Sequence, residues 1–126
     1  MKQIPNRKQV GSKQYDLEER TLVFAKKIRI FIKRLPKGIA NFEDVRQLIK
    51  SSGSVGANYI EANESLSKKD FLLRIKICKK EAKESSFWLK LIDTGNKRDL
   101  EKERLLFLNE AVELMKIFGS ILEKSK

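Results

Sequence analysis

Apolar residues recur at alternating three- and four-residue steps in four separate stretches of the chain, the spacing of amphipathic helices. The clearest stretch runs from Ser67 to Ile92, where Phe71, Ile75, Cys78, Ala82, Ser85, Leu89 and Ile92 make one face suited to a bundle seam. Ser67 and Asp70 predict a capping box at its start, and Thr94-Gly95-Asn96 predicts its stop. An earlier helix opens at Asp16, with Glu19 completing a box, and reaches about Arg34. Its core stripe is Leu17, Phe24, Ile28, Phe31 and Leu35; Pro36 ends it by pushing the preceding residue out of the helical region. The second helix takes Asn41 as its N-cap, places Glu43 and Asp44 in its first turn, and buries Val45, Leu48, Ser52, Val55, Tyr59 and Ala62. The last helix runs from Asp99 to about Lys124. Its seam is Leu100, Phe107, Ala111, Leu114, Phe118 and Ile121, widened by Leu108, Met115 and Leu122.

Connections this short force each helix to return beside the one before it. The expected fold is all-α, an antiparallel up-down-up-down four-helix bundle over residues 16–126. Residues 1–15 are polar and basic, broken by Pro5 and Gly11, and read as a flexible arm. The second helix is unusual in its middle, where Ser51, Ser52, Gly53, Ser54, Gly56 and Ala57 are all small. A glycine inside a helix costs about 1 kcal/mol relative to alanine. Close approach of a neighbouring helix would offset that cost; the alternative is a kink between Gly53 and Gly56. No strand precedes this segment and no Gly-Lys-Ser/Thr follows it, so a phosphate-binding loop is a poor reading.

Composition adds the question of partners. The 126 residues suit one domain, and 28 Lys and Arg against 17 acids leave a net charge of +11. So basic a chain is drawn to polyanions, nucleic acid first and anionic membrane second; the alternative is a merely solubilising surface. On the third helix Lys69, Lys76, Lys79, Lys80, Lys83 and Lys90 share one flank, and on the first helix Lys26, Arg29 and Lys33 lie opposite the core. We assign Lys26, Arg29, Lys33, Lys76, Lys79, Lys80 and Lys83 as candidate nucleic-acid contacts. Phe87 is the one aromatic near that face, so structured RNA or duplex would be held by charge and shape rather than by base stacking. The competing reading is a solvated face with pairs such as Lys80–Glu84. Leu73, Ile77, Trp88 and Leu91 form a second apolar stripe on the third helix, suited to an oligomer interface unless Trp88 tucks into its own subunit. Arg46, Asn58, Glu61 and Arg74 are expected to form a polar network between the second and third helices.

Little catalytic chemistry is on offer. Histidine is absent, which removes the commonest general base and rules out the inward Glu-x-x-His pairs of a di-iron bundle. Cys78 is the lone cysteine and falls on a core face, so it reads as a small apolar residue in a reducing compartment. We expect no enzyme activity, no cofactor and no metal site; a nuclease built from carboxylates such as Glu61 is the outlying alternative. No apolar run approaches the ~20 residues needed to span a bilayer, and the first residues do not resemble a signal peptide. The expected location is the cytoplasm, with no membrane partner.

The residues also carry a resemblance. Asp16-Leu17, Arg46, Ser54-Val55, Asn58, Ile60-Glu61, the run Ser67-Lys68-Lys69-Asp70-Phe71 and the run Lys80-Glu81-Ala82-Lys83-Glu84-Ser85 through Trp88-Leu89 resemble the four-helix bundle proteins encoded in intervening sequences of bacterial 23S rRNA genes. The likeness spans about Asp16 to Lys124. Gly56 stands where proline is frequent in that family, and Ala62 where glycine is usual. The resemblance implies a barrel-like homopentamer, bacterial and cytoplasmic. It is similar also to the accessory variability proteins of diversity-generating retroelements, which bind nucleic acid and a reverse transcriptase. The expected function is a non-catalytic, oligomeric nucleic-acid-binding protein. The alternative is an oligomeric scaffold or adaptor for a protein partner, such as a reverse transcriptase or other nucleic-acid enzyme.

Overall fold

A computed structural model describes residues 17–126. They form α1 (Leu17–Ile32), α2 (Ile39–Asn63), α3 (Lys68–Leu91) and α4 (Arg98–Lys124), with no strand among the described residues. The expected arm over residues 1–15 and the Asp16 cap lie outside them. No described helix is long and apolar enough to cross a membrane.

Each helix packs against its neighbours in sequence, and α1 also meets α4, while the backbones of α1 and α3 stay apart, as do those of α2 and α4, which meet only through side chains such as Tyr59 and Phe118, whose ring centroids lie 5.9 Å apart. The helices thus occupy four corners, with α1 and α3 on one diagonal. Partners across the seams run in opposite order: Glu18 with Asn63, Arg29 with Ile49, Asn58 with Arg74, Ser51 with Ser85, Arg20 with Glu110 and Arg34 with Asp99. The predicted core stripes are buried or packed against the core in all four helices.

The small segment of α2 does not break the helix, which runs unbroken through Gly53 and Gly56. A Cβ at Gly56 would lie 2.9 Å from Thr21 Oγ1 and 3.2 Å from Thr21 Cβ, so a larger residue would push α1 away. Close approach of a neighbouring helix, not a kink, is what the small residues serve. On the other side of α2, Ser85 donates to Ser51 Oγ at 2.9 Å inside the core.

Two helix ends differ from expectation. α2 begins after Gly38, with no side-chain cap, and Phe42 N–H bonds Gly38 O at 2.8 Å. Asn41 is therefore not the cap. It sits buried in the first turn, donates to Pro36 O (2.9 Å) and Asp93 O (2.7 Å), and accepts from Asp93 N–H (2.8 Å). Its amide ties the α1–α2 connection to the α3–α4 connection. α4 opens at Arg98 after Lys97, one residue ahead of the expected start. At α3 the expected cap is present: Ser67 Oγ accepts Asp70 N–H at 3.1 Å. The helix then stops before Gly95 and Asn96, whose φ values of 68° and 60° lie in the left-handed region.

Candidate nucleic-acid interface

α3 presents its lysines on the flank that leans toward α4. Lys76, Lys79, Lys80 and Lys83 are all exposed, and among the described residues none lies within 4.0 Å of a carboxylate oxygen. Lys79 extends across the α3–α4 seam, its Nζ 3.7 Å from the position a Gly119 Cβ would take. The Lys80–Glu84 pair that would have made this an ordinary solvated face does not form. Four ammonium groups with no partner concentrate positive potential along roughly two turns of one helix. Phe87 lies beyond them, 53% exposed, in edge-to-face contact with Trp88 at 5.0 Å.

The α1 residues are placed differently. Lys26, Arg29 and Lys33 are exposed, but α1 occupies the corner diagonal to α3, so a single subunit does not join the two basic sets. Arg29 is further committed to backbone, donating to Ala25 O (3.0 Å) and to Ile49 O of α2 (3.3 Å). Amphipathic spacing ranks these residues as outward-facing; it does not say which corner of the bundle each outward face looks from.

The polar network is partly assembled. Arg74 donates to Asn58 Oδ1 at 2.9 Å, and Asn58 Nδ2 donates to Ser54 O and Ser54 Oγ, each at 2.9 Å. Glu61 is exposed and lines the same shallow cleft as Arg74 without an ion pair, and Arg46 pairs only with Glu43, at 3.4 Å on the surface. Neither Arg46 nor Glu61 joins the Asn58–Arg74 link. Glu81 has its carboxyl pushed up, chiefly by burial and then by Glu84 nearby.

The outer apolar stripe splits as well. Leu73 and Leu91 are about half exposed (55% and 51%), whereas Ile77 and Trp88 are half-buried. Trp88 packs against its own core, and its Nε1–H is buried with no hydrogen-bond partner among the described residues. At the same end Arg104 of α4 donates to the carbonyls of Leu89 (3.4 Å), Lys90 (3.2 Å) and Ile92 (3.0 Å), closing the C-terminus of α3. Arg104 also pairs with Glu101. A hydrogen bond from the Thr94 hydroxyl, supplemented by Arg104, holds that carboxylate below its ordinary range. This cap was missed by sequence reasoning. No three metal-ligating side chains gather among the described residues.

Four helices, a core of alternating small and large residues, and a lysine flank on α3 define an all-α bundle protein. The sequence profile of the 23S rRNA-intervening sequence proteins matches residues 13–120, and the chain belongs to that family. A Bacteroides thetaiotaomicron protein of unknown function from the S23 ribosomal protein family, solved as a crystal structure, is 28% identical with a TM-score of 0.70. The match covers 83% of this chain and 96% of that one. Among curated proteins, none matches the chain.

Proposed function

We propose that this chain is a non-catalytic, oligomeric nucleic-acid-binding protein of the cytoplasm, holding structured RNA or duplex by charge and shape. The observation that carries the reading is the unpaired lysine flank of Lys76, Lys79, Lys80 and Lys83. A helix face that keeps four cations free of internal partners is poised for phosphates. The opposite order of partners across every seam supports an antiparallel up-down-up-down protomer, and the family resemblance supports a barrel-like homopentamer.

The test replaces Lys76, Lys79, Lys80 and Lys83 with glutamine and measures binding of an RNA hairpin and a DNA duplex by fluorescence anisotropy. Helix content and thermal stability should stay unchanged while affinity at low salt falls by at least tenfold. Equal affinity for the variant would refute this face as the interface.

A scaffold role is the second reading. A cleft of about 630 Å³ between the α1–α2 connection and α2 exposes Ile39 (89%) and Phe42 (66%), the kind of apolar surface that a partner protein covers. Under that reading the four glutamines would leave capture of a polymerase or reverse transcriptase intact, and Phe42→Ala would abolish it.

A further inference from the structure

The cleft of about 630 Å³ at the α1–α2 connection joins an apolar lining to charge of one sign. Ile32 and Val45 line it and pack against the core behind, while Ile39 and Phe42 line it and stand largely exposed. Its two charged residues are Lys33 and Lys37, and neither forms an ion pair among the described residues. No carboxylate lines it. Glu43 and Asp44, the acids nearest in sequence, lie outside the lining, and Glu43 pairs with Arg46 at 3.4 Å. α2 also opens here without a side-chain cap, so its first turn adds partial positive charge. The α1–α4 groove is of similar size, but there Arg20 pairs with Glu110 and Arg34 with Glu103, so those cations already have partners.

We propose that this cleft docks an acidic amphipathic segment of a partner protein. Apolar side chains of that segment lie on Ile39, Phe42 and Val45, and its Asp or Glu carboxylates meet Lys33 and Lys37. The proposal rests on the scaffold reading of this cleft and adds to it the sign of the partner's charge. Two lysines are few for a phosphate backbone, and aliphatic residues around Phe42 give bases no continuous platform. A concavity receives inserted side chains, whereas a membrane surface takes protruding ones. The site is also built in advance. Asn41 bonds Pro36 O and both backbone groups of Asp93, which fixes the connection that forms one wall. Lys33 thereby gains a role apart from the α3 flank, which looks out from the diagonal corner.

The test measures, by fluorescence anisotropy on the full chain, binding of a short labelled peptide with leucines at helical spacing and glutamates between them. Two control peptides replace every glutamate with glutamine or with lysine. The glutamate peptide should bind, and both controls should bind about tenfold more weakly or worse. Ile39→Ala with Phe42→Ala should weaken the glutamate peptide by about tenfold or more. Lys33→Glu with Lys37→Glu should reverse the order, so that the lysine peptide binds best, a gain that an unfolded chain would not show. The variant with Lys76, Lys79, Lys80 and Lys83 changed to glutamine should bind the glutamate peptide like the wild type, and an RNA hairpin should not displace it. Equal binding of the glutamate and glutamine peptides would overturn the inference while leaving the scaffold reading in place. Binding of no peptide would overturn it, as would displacement by the hairpin. So would Phe42-dependent binding of phosphatidylserine vesicles in place of the peptide. The scaffold reading fails separately, if capture of a polymerase is indifferent to Phe42→Ala.

Discussion

The α2–α3 seam and the α1–α4 seam solve the same packing problem with different residues. Between α2 and α3, Ser51, Ser52, Val55, Cys78, Ala82 and Ser85 are small and buried, the helices meet closely, and a serine pair bonds inside the core. Between α1 and α4 the backbones touch least. There a groove of about 710 Å³ runs over Val23, Phe24, Ile30, Leu106 and Phe107. Arg20 bridges it to both Glu110 oxygens (2.7 and 2.8 Å), and Arg34 reaches Asp99 at 3.0 Å. A seam closed by small side chains has no free volume to give. One closed by long charged side chains at its rim can open slightly and lose little, because exposed ion pairs hold weakly.

Chemical denaturation can break this contrast. Ser85→Leu places a large side chain where the Ser51 hydroxyl now sits and removes the hydrogen bond between the two serines. It should cost about 3 kcal/mol or more in urea unfolding. Cys78 probes how dry the tight side is. Burial pushes its thiol up to about 12 from the ordinary 9.0. The unfolded chain therefore loses the thiol proton first as pH rises, and the native state binds more protons between those values. Stability should fall through that window by about 1.4 kcal/mol per pH unit from this group. Below pH 9 the contribution is fully present. The urea midpoint of Cys78→Ala should thus decline less steeply from pH 9 to 10.5 than that of the wild type. At the loose seam, Arg20→Ala should cost no more than about 1 kcal/mol, and less at high salt. A loss there as large as at Ser85 would erase the distinction between the seams.

Much of the bundle could be read from the chain because its information is periodic. Phe24, Ile28 and Phe31, or Leu100, Ala111 and Leu114, announce a buried face by spacing alone, and the Ser67 cap by its local motif. What escaped reading depends on residues distant in sequence. Asn41 looks like an N-cap, yet its amide is spent on Pro36 and Asp93, and no local pattern marks a partner 52 residues away. Arg104 looks like one more surface charge, yet it closes the end of α3. The candidate site shows the same limit. Periodicity identified the lysines of α1 and α3 as outward-facing, but only the diagonal placement of the two helices separates them into two faces. Trp88 read as an exposed anchor because its position on the wheel is outward; the structure leans it into its own core.

The salt dependence of RNA binding tests the central claim most directly. With a hairpin RNA held by the α3 flank, the logarithm of the association constant should fall linearly with the logarithm of salt concentration. Four phosphate contacts per subunit correspond to a slope of about −3 to −4, and each of Lys76, Lys79, Lys80 and Lys83 changed to glutamine should make it shallower by about one. A flat response, or no binding to structured RNA at low salt, would contradict the account.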